Sequence, residues 1–149
     1  MLFTRESDYA IRIVRALKGE EKLTIKTICE REILPEAFAY KIIKKLAKSD
    51  IVEIKRGANG GYSLKKDLNE LTLYDVIIAV EPDFAVMECI NNFCSRNGAN
   101  GMCKVHKELI YIQNQVEMLL KRRSLKEILE DKDFDCGECK SFDTRKSIL

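Results

Sequence analysis

Nowhere does the chain present an apolar run approaching the roughly 18 residues that cross a bilayer as a helix. Its N-terminus, MLFTRESDYA, carries charges where a secretion signal needs an apolar core. A membrane span and an exported precursor are both unexpected, and the implied compartment is the cytoplasm. Net charge is also nearly absent, at +2. Histidine occurs once, as His106, so any imidazole ligand must be that residue. The one glycine-rich stretch, Gly57 to Gly61, lacks a following GK[ST] and helix start, which excludes the usual phosphate-cradling loop. What remains is a chain of 149 residues, nearly half apolar and a third charged. That is the composition of one soluble, well-cored domain with appendages rather than of a disordered or fibrous protein. Its six cysteines, in a reducing compartment, are expected to be ligands, redox thiols or core residues rather than disulfides.

Charge is unevenly placed. Residues 1–66 hold fifteen Lys and Arg against nine Asp and Glu, whereas residues 67–149 hold eleven against fifteen. A basic N-terminal half facing an acidic remainder points to nucleic acid as a partner of the first part.

Periodicity supplies the elements. Tyr9, Ala10, Ile13, Val14 and Leu17 recur at helical spacing between a Thr4 cap and Gly19. Thr24 opens a second helix whose inner face includes Ile25, Ile28 and Cys29, which makes Cys29 a core residue. Pro35 suits the first turn of a third helix, with Ala39, Ile42, Ile43 and Leu46 inward. Ala37, Tyr40, Lys41, Lys44, Lys45 and Lys48 are left to face outward. Two short helices followed by one with a basic outer face form the pattern of a helix-turn-helix. Residues 51–56 then alternate as a strand, Gly57 to Gly61 turn, and Tyr62 to Leu64 return. The Asn59-Gly60 pair is expected to take the positive backbone angles of a tight hairpin. A basic hairpin at this place is a wing, with Arg56 able to reach the DNA backbone or minor groove.

Thr72 and Asp75 form a capping box for a fourth helix, buried through Leu73, Val76, Ile77 and Val80 and ended by Pro82. Later, Val105, Leu109, Ile112, Val116 and Leu119 step by four and three, an a/d seam that asks for a partner helix, the natural one being a second copy. Ser124 and Glu127 cap a brief last helix. The fold class expected is mainly α with a small β-wing: a winged helix-turn-helix domain (1–82), a cysteine-rich loop (83–104), a dimerisation helix with the short final helix (105–130), and a tail (131–149).

Between these elements lies CINNFCSRNGANGMCKVH, residues 89–106. Cys89, Cys94, Cys103 and His106 have the spacing C-x4-C-x8-C-x2-H. Three thiolates and an imidazole among polar residues and glycines suit an iron–sulfur cluster, or a zinc ion. The tail pair Cys136 and Cys139 provides only half a zinc site, and no strand and helix flank it as in a thioredoxin-like motif.

Taken together, DYAIRIVRAL, the helix-turn-helix, RGANGGYSL, LTLYDVIIAVEP and a three-cysteine loop before a long helix resemble the IscR, NsrR and CymR regulators of the Rrf2 superfamily. The resemblance covers residues 1–129 and implies a homodimeric winged-helix transcription factor, not an enzyme, that binds a near-palindromic double-stranded operator. Many members hold a two-iron or four-iron iron–sulfur cluster through loop cysteines, which implies Cys89, Cys94 and Cys103 as ligands. His106 occupies the fourth-ligand position of IscR-like proteins and Asp8 that of NsrR-like ones, so the fourth ligand stays open. The segment from Ser95 to Met102 is about three residues longer than is usual in the family. Pro35, Ala37, Phe38, Tyr40 and Lys41 are expected at base edges, with Lys44, Lys45, Lys48, Arg56, Asn59 and Tyr62 completing the DNA contacts. Tyr40 and Lys41 stand where IscR-like proteins use Glu and Gln, which implies a different operator. The function implied is sensing of redox, nitric oxide or iron–sulfur status. The alternatives are a cluster-free regulator controlled by thiol oxidation or a partner protein, a thiol redox enzyme, and a zinc protein.

Overall fold

The computed structural model describes residues 3–92 and 103–131. Cys94, Cys136 and Cys139, and the long stretch between Cys94 and Cys103, lie outside the described residues.

Helix α1 (Arg5–Ala16) begins where the Thr4 hydroxyl accepts the Glu6 N–H, and buries Ala10, Ile13 and Val14. In α2 (Ile25–Glu32), Thr24 caps the Thr27 N–H at 3.2 Å and Ile28 and Cys29 are buried. The chain then turns through Ile33, which is left-handed at φ 56, into α3 (Glu36–Lys48). Pro35 is the N-cap rather than a first-turn residue, with ψ 127 placing it just outside the helix. The four apolar positions of α3 expected inward, Ala39, Ile42, Ile43 and Leu46, are all 0–1% exposed. Burial of side chains this size contributes about 1.5–3 kcal/mol each for the larger ones, so the helix-turn-helix is fixed mainly from inside.

The wing pairs β1 (Val52–Lys55) with β2 (Gly61–Leu64) antiparallel, from Val52 opposite Leu64 to Lys55 opposite Gly61. Its connection differs from the hairpin expected of Asn59-Gly60. The positive angle falls at Gly57 (φ 107), and neither Asn59 nor Gly60 adopts one. The loop closes instead by a Gly60 N–H to Gly57 carbonyl bond of 2.9 Å. Gly60 is required for another reason: a Cβ there would lie 2.5 Å from the Lys55 carbonyl oxygen. Leu23 adds a third rung, exchanging backbone hydrogen bonds of 2.9 and 2.8 Å with Tyr62.

Helix α4 (Leu73–Val80) carries the full Thr72–Asp75 capping box. After Pro82, Phe84 is buried and stacks on Phe3 at 5.4 Å between ring centroids. A single 3₁₀ turn (Glu88–Ile90) follows, and α5 (Lys104–Lys121) starts from Cys103 as N-cap. The last helix, α6 (Leu125–Glu130), has its own Ser124–Glu127 capping box. It docks back on the first domain: the Leu125 N–H bonds the Leu71 carbonyl at 2.7 Å, and Leu125 joins the hydrophobic cluster of Ala10, Leu46 and Val76. Among the described residues no helix is long and apolar enough to cross a membrane.

Candidate nucleic-acid interface and metal-ligating segment

One face of the molecule is built by α3 and the wing. Pro35, Ala37, Phe38, Tyr40, Lys41, Lys44 and Lys48 are exposed on or just before α3, and Arg56 and Asn59 are exposed at the wing. Phe38, though half open to solvent, sets its ring edge against Tyr9 with centroids 6.3 Å apart. A groove of about 570 Å³ separates the two elements, with Tyr40 and Lys44 on one wall and Arg56 and Tyr62 on the other. Half-buried Tyr62 has its phenol pKa pushed up by that burial and then by Tyr40. It therefore stays a neutral hydroxyl at physiological pH.

Lys45 departs from the outward placement expected of it. It is only partly exposed, and its ammonium binds Glu6 and the Val80 carbonyl, the latter at 2.9 Å. Lys41 also pairs with Glu6, at 2.6 Å. Helical spacing alone put both lysines on the outer face; it could not register a carboxylate supplied by α1. Lys22 is a further contributor that sequence reasoning missed, since its Nζ donates to the Asn59 carbonyl at 2.8 Å and ties the wing tip to the body.

The candidate ligands fall on three elements. Cys89 lies in the 3₁₀ turn and Cys103 at the start of α5, both half-buried, while Cys94 is outside the described residues. His106, in the first turn of α5, is buried at 9% exposure. Its Nδ1 has no hydrogen-bond partner among the described residues. Asp8 is exposed on α1 and engaged by Arg12, with Nη2 to Oδ2 3.0 Å and Nε to Oδ1 3.1 Å. Among the described residues no three such groups converge on a common point. The donor chemistry nevertheless fits a metal group. An orphaned buried imidazole nitrogen is costly unless something accepts or coordinates it, and two thiols stand on the flanking segments. Cys29, by contrast, is buried in the core, where desolvation pushes its thiol pKa up.

The cysteine segment is tied to α5 by Gln113. Buried at 6% exposure, this side chain accepts the Val86 N–H at 2.8 Å and donates to the Phe84 carbonyl at 3.3 Å. It thus mimics a strand partner for the backbone that leads to Cys89. On an adjoining face of α5, Val105, Ile112 and Leu119 are 67%, 42% and 65% exposed. Leu109 and Val116 are half-buried, and Tyr111 and Met118 widen the apolar stripe.

The family described as "Rrf2: Iron-dependent Transcriptional regulator" matches residues 3–131. The chain belongs to the Rrf2 family of transcriptional regulators. Among curated relatives, this regulator is 27% identical over 139 residues to the HTH-type transcriptional regulator NsrR of Bacillus subtilis, covering 89% of this chain and 93% of NsrR. It is 36% identical over 91 residues to protein aau3 of Rhizobium meliloti, a match that spans 60% of this chain and only 59% of that protein. Its fold is shared with CymR, the global cysteine regulator of Bacillus subtilis, at a TM-score of 0.69 and 22% identity over 88% of this chain and 98% of that one. The NsrR relative is a regulator rather than an enzyme, and membership of the family carries DNA binding with it.

Proposed function

We propose that this regulator acts as a dimer that reads a near-palindromic operator and changes its DNA affinity through an iron–sulfur cluster held by Cys89, Cys94, Cys103 and His106. The observation that carries the reading is the buried Nδ1 of His106, without a hydrogen-bond partner among the described residues and one turn of helix away from Cys103. Asp8 is the weaker fourth ligand, because Arg12 already compensates its carboxylate. A cluster bound there would supply a centre reactive toward oxidants and nitric oxide.

The chain's own residues supply the rest. Lys44, Lys48 and Arg56 meet phosphates and release counterions, while Pro35, Ala37, Phe38, Tyr40 and Lys41 approach base edges in the major groove, and Asn59 and Tyr62 close the wing side. Lys45 acts from behind, holding α3 to α1 and α4. Two-fold pairing of α5 through Val105, Leu109, Ile112, Val116 and Leu119 sets the separation of the two recognition helices and so the half-site spacing. Gln113 fastens the segment bearing Cys89 to α5, while Phe84, stacked on Phe3, anchors the start of that segment to the N-terminal end of the fold. Order in that segment is thereby linked to the dimer helix, and a change in ligation shifts the population of DNA-competent dimers.

The test is an anaerobic preparation analysed by visible absorption with iron and sulfide determination, repeated for Cys94→Ala and His106→Ala. A coloured wild type, bleached in Cys94→Ala and spectrally altered in His106→Ala, is expected. A colourless wild type that binds DNA normally would overturn the cluster and leave a regulator controlled by thiols or a partner protein. Stoichiometric zinc without visible absorption would convert the site to a structural one.

A further inference from the structure

Glu6, in the first turn of α1, reaches across to α3 with both carboxylate oxygens. Oε1 accepts from Lys41 Nζ at 2.6 Å and Oε2 from Lys45 Nζ. The two cations are not equivalent. Lys45, with a side chain 36% exposed, also donates to the Val80 carbonyl at 2.9 Å, so two elements fix it. Lys41 is 59% exposed, and Glu6 is the carboxylate that restrains it. Lys44, on the same helix, is exposed and has no ion-pair partner among the described residues. One carboxylate from a neighbouring helix therefore engages two of the four lysines of α3 and offsets one of their two charges before DNA arrives.

From this geometry we infer that Glu6 is a positioning residue that keeps Lys41, which approaches base edges on the operator, from pairing with the phosphates of ill-fitting DNA, and so limits how strongly the recognition helix holds non-operator DNA. An exposed ion pair is weak enough to be exchanged when DNA fits well and retained when it fits poorly. Phosphate contacts give affinity for any sequence, whereas base contacts give discrimination. Holding back one cation until the fit is good widens the gap between the two. The carboxyl of Glu6 is kept below its ordinary pKa by Lys41 first and Lys45 second, so the competing charge is present across the physiological range. The inference rests on α3 being the DNA face, as proposed above.

The experiment uses the full chain and a non-operator duplex, titrated at several salt concentrations. Glu6→Gln is expected to bind this duplex about three- to tenfold more tightly, with a log K against log salt slope steeper by up to about 0.9, the value for one added phosphate contact. The gain should vanish in the Glu6→Gln/Lys41→Gln double variant. A folded Glu6→Gln protein with unchanged or weaker non-operator binding overturns the inference. Should that variant fail to fold, two single variants address the same point: Lys44→Gln should weaken binding and flatten the slope by about 0.9, and Lys41→Gln should change both little. Equal losses from the two would overturn the inference. Wild-type binding by Lys44→Gln would instead overturn the DNA-facing reading of α3, and the inference with it.

Discussion

Ile33 is a β-branched residue in a left-handed backbone, at φ 56, and 86% of it is exposed. A side chain there gives little packing in return for a conformation that disfavours any L-residue by roughly 1–2 kcal/mol. Ile33→Gly should therefore stabilise the chain by about 1 kcal/mol in urea denaturation, and a loss of stability would mean that the exposed side chain makes contacts in the assembled protein. Carboxylates give a second prediction at this scale. Glu6 is held below its ordinary value near 4.5 by Lys41 and then Lys45, Glu117 by Lys121 and then Gln113, and Glu127 by the backbone and hydroxyl of Ser124. Because each folded pKa is depressed, the stability these groups contribute is complete above the unfolded value. It is lost as pH falls below about 4.5 and through the folded values. Urea midpoints measured from about pH 6 down to about pH 3 should decline, steepest below 4.5; a flat profile would contradict the pairing.

The elements were legible from sequence to the extent that their determinants are local. Thr4, Thr24, Thr72 and Ser124 each cap the helix they precede, with a cap and its partner within three residues. The alternation read for β1 is local too, but burial does not follow it: Val52 is buried while Glu53, Ile54 and Lys55 are all exposed. What escaped reading is what another part of the chain supplies. The Leu23 rung on Tyr62, the Lys22 hold on Asn59 and the capture of Lys45 by Glu6 and Val80 all bridge distant positions. The wing turn was misplaced because the Asn59-Gly60 pair signals a two-residue hairpin, whereas the connection here is longer and puts its positive angle on Gly57. At the candidate metal site the ligand types and spacing could be read, but burial of His106 and the Gln113 clasp could not. Gln113→Leu should remove both backbone bonds and leave the Val86 N–H unsatisfied. A loss of about 1–3 kcal/mol, with faster hydrogen exchange at Val86, is expected; unchanged exchange would show that Phe84 packing alone holds the segment.

At the scale of the molecule, the core takes in α1 to α4, the inner edge of the wing and Leu125 of α6, while α5 carries an apolar stripe that none of the described residues covers. A row of Val105, Ile112 and Leu119 at seven-residue spacing has the period that the proposed dimer seam requires. Ile112→Asp should convert the dimer to monomer in sedimentation analysis and weaken operator binding at least tenfold, because the two half-sites are then no longer linked. Retention of the dimer would place the interface elsewhere.

The central claim is that occupancy of the cysteine segment controls DNA binding. It is tested most directly by selecting a duplex from a random pool and titrating it with the anaerobically prepared protein before and after chelator treatment. The account predicts that the two forms differ in affinity by about tenfold or more, an amount equal to roughly 1.4 kcal/mol. Equal affinity of the two forms, each folded and dimeric, would contradict it.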